Sequence, residues 1–196
     1  LLIEVGKDNE FSQLAELLNQ KSVCQHRLAD YESSLASTVE FIKDFPENRL
    51  FQDALFLKAE NLFLLKRTDE AAESYNKFLE SGQSQSNMMI AQYRTAQIYH
   101  EQGQWEKCLS VTGSILENKP KDKLFNQLKF IVGDSFYRLD KWEASIVLLK
   151  EFIDSNSSDE GINKVANMDT ALMQLSVAHE RLGDIEKSMS NLALLV

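Results

Sequence analysis

The sequence predicts an all-α protein built from helical hairpins set one after another. Three observations point there. Only seven Gly and two Pro punctuate 196 residues, and no stretch alternates apolar with polar residues as a half-buried strand would. Small residues recur in two series, Ala59, Ala96, Gly133, Ser176 and Ala71, Cys108, Ser145, Ser188, with twelve residues between matching members. Both series step by 37, 37 and 43 residues, so one unit recurs, with six residues inserted before its last copy.

The elements follow in chain order. An earlier, degenerate copy occupies residues 1–49: "DYESS" at 30–34 leads to Phe41, Ile42 and Pro46, and its first helix, "FSQLAELLNQKSVCQHRLAD", puts Ser22 at the small site and lacks the aromatic. Four clearer copies cover about 50–86, 87–123, 124–163 and 164–196. In each, an acid (Asp69, Glu106, Glu143 or Glu186) stands two residues before the second small residue. A carboxylate in a first helical turn meets the unpaired N–H groups and the positive end of the helix dipole, worth about 0.3–1 kcal/mol, so these acids mark four second-helix starts. Apolar pairs close those helices: Phe78 and Leu79, Ile115 and Leu116, Phe152 and Ile153, Leu195 and Val196.

Short side chains at the paired sites let two helices approach closely while the partner's bulk fills the groove. Leu62, Tyr99 and Phe136 supply that filling at one repeat position, where the last copy has His179. Trp105 and Trp142 open their second helices beside the turn, and packing over the hairpin end is their expected role. The insert "SNSSDEGIN", 155–163, reads as a surface loop. Both ends fall inside a copy, with "LLIEVG" where the register expects the tail of a preceding second helix. The expectation is a piece of a longer array.

These residues resemble the tetratricopeptide repeat (TPR): a small residue in each helix twelve apart, an aromatic three after the first, a turn such as "GQWEKC" or "GDIEKS", and a closing Pro. The resemblance is strongest from residue 50 onward, with a step a little longer than the usual 34. It implies a right-handed α-solenoid of antiparallel helix pairs, about five repeats, in a single continuous array. The stretch from "FIKDFPENRLFQDAL" to "SYNKFL" is similar to bacterial envelope members of the family, of the outer-membrane assembly lipoprotein and Tol-Pal coordinator types. That likeness points to the periplasm or the outer membrane and leaves the cytoplasm open.

In such an array the first helices line the concave side. Three residues before the first small residue stand Phe56, Tyr93, Phe130 and Met173; four after it stand Phe63, His100, Tyr137 and Glu180; between lie Glu60, Gln97, Asp134 and Val177. Two aromatic columns flanking a polar row suit an extended peptide or an amphipathic helix. Glu60 and Asp134 would favour basic or amide groups on that ligand. Any one of these aromatics could instead lean on its neighbour as core; as a set they read as a groove. The family's carboxylate-gripping subclass uses Lys, Asn and Arg here, so that clamp is not carried over.

Composition narrows the rest. Acidic residues outnumber basic ones by 30 to 21 without a Lys/Arg cluster, which argues against nucleic acid and anionic membranes as partners. No apolar run reaches the roughly 20 residues needed to span a bilayer, and the first residues lack a signal peptide's plan. Cys24 and Cys108 match no metal or redox spacing and read as buried free thiols. His100-Glu101 and His179-Glu180 lack the second His of HExxH, so no catalytic residue, metal ligand or cofactor is assigned. The expected function is a non-enzymatic scaffold for a peptide or partner protein. The alternatives are a regulatory or substrate-docking part of a longer enzyme, or a self-association module forming a homo-oligomer.

Overall fold

A computed structural model describes residues 2–81, 85–118, 123–156 and 166–195. Among the described residues there are ten α-helices, a terminal 3₁₀ turn and no strand. They are α1 (Leu2–Arg27), α2 (Tyr31–Asp44), α3 (Phe51–Leu64), α4 (Thr68–Ser81), α5 (Gln85–Glu101), α6 (Trp105–Asn118), α7 (Lys123–Arg138), α8 (Trp142–Asn156), α9 (Met168–Arg181) and α10 (Ile185–Leu192), followed by the 3₁₀ turn Ala193–Leu195. The all-α class is as expected. Two compact units divide within α5, Leu1–Thr95 and Ala96–Val196.

Every hairpin turn is built the same way. Ala29, Lys66, Gly103, Asp140 and Gly183 all have positive φ, between 56° and 83°, and they recur at the steps of the small residues. Each donates its N–H three residues back, as Gly103 does to the His100 oxygen (3.0 Å), and the next N–H reaches five back, as Gln104 does to Tyr99 (2.8 Å). Left-handed backbone after a helix lets these N–H groups satisfy carbonyls that the helix leaves open. Glycine takes that conformation freely, but Ala29, Lys66 and Asp140 carry a Cβ into it. The second helix starts two residues later, with Asp69, Glu106, Glu143 and Glu186 in the first turns of α4, α6, α8 and α10.

In the first unit α1 pairs with α2, α2 packs on α3, and α3 pairs with α4. Ala15, Phe41, Phe45 and Ala54 form a buried cluster, with Leu18, Ile42 and Leu50 against it. Phe45 caps α2 by donating its N–H to the Phe41 oxygen, and Pro46 follows where no further helical donor is wanted. Ser34 donates its hydroxyl to the Ser22 oxygen at 2.8 Å, so the degenerate first copy is a close-packed hairpin like the others. Asn61, fully buried, donates Nδ2 to Ser34 Oγ (2.8 Å). Its Oδ1 lies 2.7 Å from His26 Nδ1, and as a carbonyl oxygen can only accept, His26 holds its proton on Nδ1.

In the second unit α7 pairs with α8, α9 with α10, α6 packs on α7 and α8 on α9. Both small-residue series are buried here. Ala96, Cys108 and Ser145 are inaccessible to solvent, and Ser176 and Ser188 nearly so. At Gly133 an added Cβ would lie 2.8 Å from Leu149 Cδ2 and 3.3 Å from the Leu149 main-chain nitrogen. Ser145 Oγ donates to the Gly133 oxygen at 2.9 Å, and Ser176 Oγ donates to the Ser188 oxygen at 2.9 Å. Hydroxyls at these sites thus tie the two helices together across the crossing.

Three expectations change. "LLIEVG" does not end a separate preceding helix: α1 runs unbroken from Leu2 to Arg27, because Gly6 alone, without a proline, does not stop a helix. Cys24 is exposed and only Cys108 is buried, since Cys24 lies two positions from Ser22 and so points well away from the α2 face. Ser155 and Asn156 belong to α8, and the rest of the 155–163 insert lies outside the described residues, as do Pro120 and Val196. Leu195 is half-buried in the 3₁₀ turn, while Phe78, Ile115, Phe152 and Ile153 are buried as predicted.

Candidate partner-binding residues on the first helices

The inner aromatic column divides. Phe56 lies on α4 of its own hairpin, its ring 5.3 Å from Phe78 and 6.2 Å from Tyr75. Phe130 does the same on α8, 5.5 Å from Phe152, and is buried. Tyr93 is half-buried and Met173 is 56% exposed. Phe130 is therefore buried inside its hairpin, Phe56 packs against α4 while staying half-buried as Tyr93 does, and Met173 keeps the most surface.

The polar row braces neighbouring copies. In the first unit, Tyr75 donates its hydroxyl to Glu60, which lies 3.9 Å from Arg94 Nε, and the Arg94 guanidinium sits 4.4 Å from the Phe63 ring centroid. Burial and the Glu60 charge raise the Tyr75 phenol well above its ordinary range, so it stays a donor. In the second unit, Asp134 has a side chain only 4% exposed, with His100 Nε2 at 2.6 Å and Arg138 Nε at 3.3 Å. Gln174 of α9 donates to Oδ1, the oxygen that also meets Arg138, while His100 takes Oδ2. Burial pushes the Asp134 carboxyl up, but the His100 and Gln174 hydrogen bonds and nearby positive charge prevail and hold it below the ordinary value. Gln97 donates Nε2 to Glu101 at 3.0 Å on an exposed face.

The outer column also finds partners. His100 meets Trp105 edge to face at 5.2 Å, and Tyr137 meets Trp142 at 5.4 Å, so each Trp backs the last turn of its own first helix. Arg138 lies 5.8 Å from the Trp105 ring. Phe63, His100 and Tyr137 remain partly accessible. The sequence reading missed Arg94 and Gln174 as partners of the row. Their spacing was a signal: Glu60 to Arg94 is 34 residues, and Asp134 to Gln174 is 40, the same interval with the six-residue insert.

Chemically the strip offers half-exposed rings and fixed amide and imidazole groups, with its carboxylates already engaged. Among the described residues no cluster of three or more His, Cys, Asp or Glu could hold a metal. Cys108 is inaccessible, and burial pushes its thiol up to about 11, which makes it a poor nucleophile. No described helix is long and apolar enough to cross a membrane.

The tetratricopeptide-repeat family model matches residues 53–81 and 90–122, which supports the resemblance for the middle of the chain. No curated protein matches the sequence. Among solved structures, MamA residues 41–end from Desulfovibrio magneticus RS-1 superimposes with a TM-score of 0.67 at 17% identity, over 91% of each chain. YrrB, a TPR protein with an unusual peptide-binding site, gives 0.71 at 12% identity over 93% of this chain and 89% of its own. A tetratricopeptide repeat protein from Parabacteroides merdae ATCC 43184 gives 0.69 at 18% identity, over 93% of this chain and 66% of its own. At these identities the likeness is one of fold: TPR-like helical repeats.

Proposed function

We propose that the protein is a non-enzymatic scaffold that holds a partner protein by an extended peptide segment along the first helices. The observation behind this reading is the sorting of the strip into two kinds of residue. Phe130 and Asp134 are buried, and Glu60 is held by Tyr75 and lies near Arg94; Phe56, Phe63 and Tyr93 in the first unit, and Gln97, His100, Tyr137 and Met173 in the second, keep surface on that rigid base. Rigid rings on a braced support are what peptide recognition uses, since little ordering entropy is lost when they are covered. YrrB, with its unusual peptide-binding site, supports the same role for a similar fold. The ligand would supply apolar side chains for the rings and main-chain amides for Gln97 and His100.

Peptide selection against the intact chain tests this. Selected peptides should bind the wild type and bind Tyr93→Ala or Tyr137→Ala, according to the unit they engage, at least tenfold more weakly, with unchanged circular dichroism. Selection that yields no binder, or binders indifferent to both changes, would overturn it. Light scattering before and after Tyr137→Ala separates this reading from self-association, in which the substitution would reduce the mass. The likeness to envelope proteins makes the periplasm the first compartment to test, by cell fractionation.

A further inference from the structure

A second feature lies in the α8–α10 region and shares no residue with the strip. A cavity of about 180 Å³ opens there, larger than the ~150 Å³ cavity that accepts benzene in an engineered protein. Its floor includes Leu172 and Leu175, and its wall includes His179 and Asn191. Both wall positions are filled differently one copy earlier, where Phe136 stands for His179 and Leu148 for Asn191. The last hairpin therefore replaces two apolar fillers with polar groups over an apolar floor.

One of the polar groups is a donor in need of an acceptor, and the other can supply a second N–H. Asn191 Nδ2 is buried with no hydrogen-bond partner among the described residues, an arrangement that costs about 1–3 kcal/mol when left unmet. Burial, and the charges of Lys187 and Lys150, depress the His179 imidazole against the pull of Asp184, so at neutral pH it is uncharged and offers one N–H. At the mouth stand Lys150 and Lys187 with a single carboxylate, Asp154, and Lys187 is bridged to Asp184 at 2.6 Å. That leaves Lys150 as the lining cation not bridged to Asp184, beside Asp154 and above an apolar base.

We propose that this cavity binds a carboxylate attached to a short branched apolar body, the carboxylate accepting from Asn191 and His179 beside Lys150 and the body resting on Leu172 and Leu175. Such a group could arrive as a free short-chain acid or as the C-terminal residue of a peptide.

Isothermal titration calorimetry on the whole chain tests it, with 4-methylpentanoate and its amide, and with a tetrapeptide ending in Leu as free acid and as amide. Saturable binding of at least one acid is expected, with its amide at least tenfold weaker; the acid that binds identifies the source. Asn191→Leu and His179→Phe restore the fillers of the preceding hairpin, and each should weaken binding at least tenfold while the melting temperature holds or rises. The proposal is overturned if neither acid binds saturably, if the amides bind as well as the acids, or if the folded variants bind like the wild type.

Discussion

Ser145 Oγ donates to the main-chain oxygen of Gly133 at 2.9 Å, and the same twelve-residue bond joins Ser34 to Ser22 at 2.8 Å. In both hairpins the bond joins the paired small sites, and it explains why a hydroxyl is tolerated at a buried site: it finds a carbonyl on the other helix. Gly133→Ala should therefore be destabilising. The new Cβ would sit 2.8 Å from Leu149 Cδ2 and close to the α8 main chain, which cannot retreat without parting the helices. A loss of about 1–3 kcal/mol is expected, measured by urea denaturation, and Ala96→Leu should lose more.

The turns make an opposite prediction. Lys66 and Ala29 hold φ of 63° and 60°, where a Cβ is disfavoured by roughly 1–2 kcal/mol. Lys66→Gly and Ala29→Gly should each stabilise the fold by up to about 1 kcal/mol after the added chain entropy is counted. Gly183→Ala, at φ 83°, should destabilise it by a similar amount. Melting temperatures of the three variants check the sign.

Asp134 gives a pH dependence. Its folded carboxyl lies below the ordinary value, so its contribution is full above about pH 4, the unfolded value, and is lost as pH falls through the lower folded one. Asp134→Ala should cost about 1–3 kcal/mol at pH 7, chiefly by leaving the buried Gln174 amide unmet. The difference from wild type should shrink below pH 4, in paired urea titrations at pH 7 and pH 3.

Two phenylalanine-sized rings should separate by readout. Phe130→Ala removes a buried ring packed at a tilt against Phe152 and should cost about 3–5 kcal/mol of stability. Tyr137→Ala, at a partly accessible ring, should cost less stability and more binding. Thermal melts and peptide titrations on the same two variants decide.

Much of the fold was legible because close helix packing depends on side-chain size, and size is written in the sequence: Ala59, Ala96, Gly133 and Ser176 declared the hairpins. The turns at Gly103 and Gly183 were legible, but not the left-handed backbone at Ala29 and Lys66, since neither residue type announces positive φ. The strip was less legible. Positions three before a small site lie only about 60° around the helix from it, which lets Phe56 and Phe130 reach Phe78 and Phe152 on the second helix, whereas Met173 at the same position is 56% exposed. Some partners of Glu60 and Asp134 come from neighbouring copies, Arg94 for Glu60 and His100 and Gln174 for Asp134, and their geometry depends on how far one hairpin is offset from the next, which residue type alone does not state.

The most direct measurement is the affinity of one selected peptide for the wild type, Tyr93→Ala and Tyr137→Ala, each verified as folded by its melting curve. At least tenfold weaker binding by one of the two variants with near wild-type melting is the predicted result. Equal affinity in both, with the fold intact, would contradict the role assigned to the first helices.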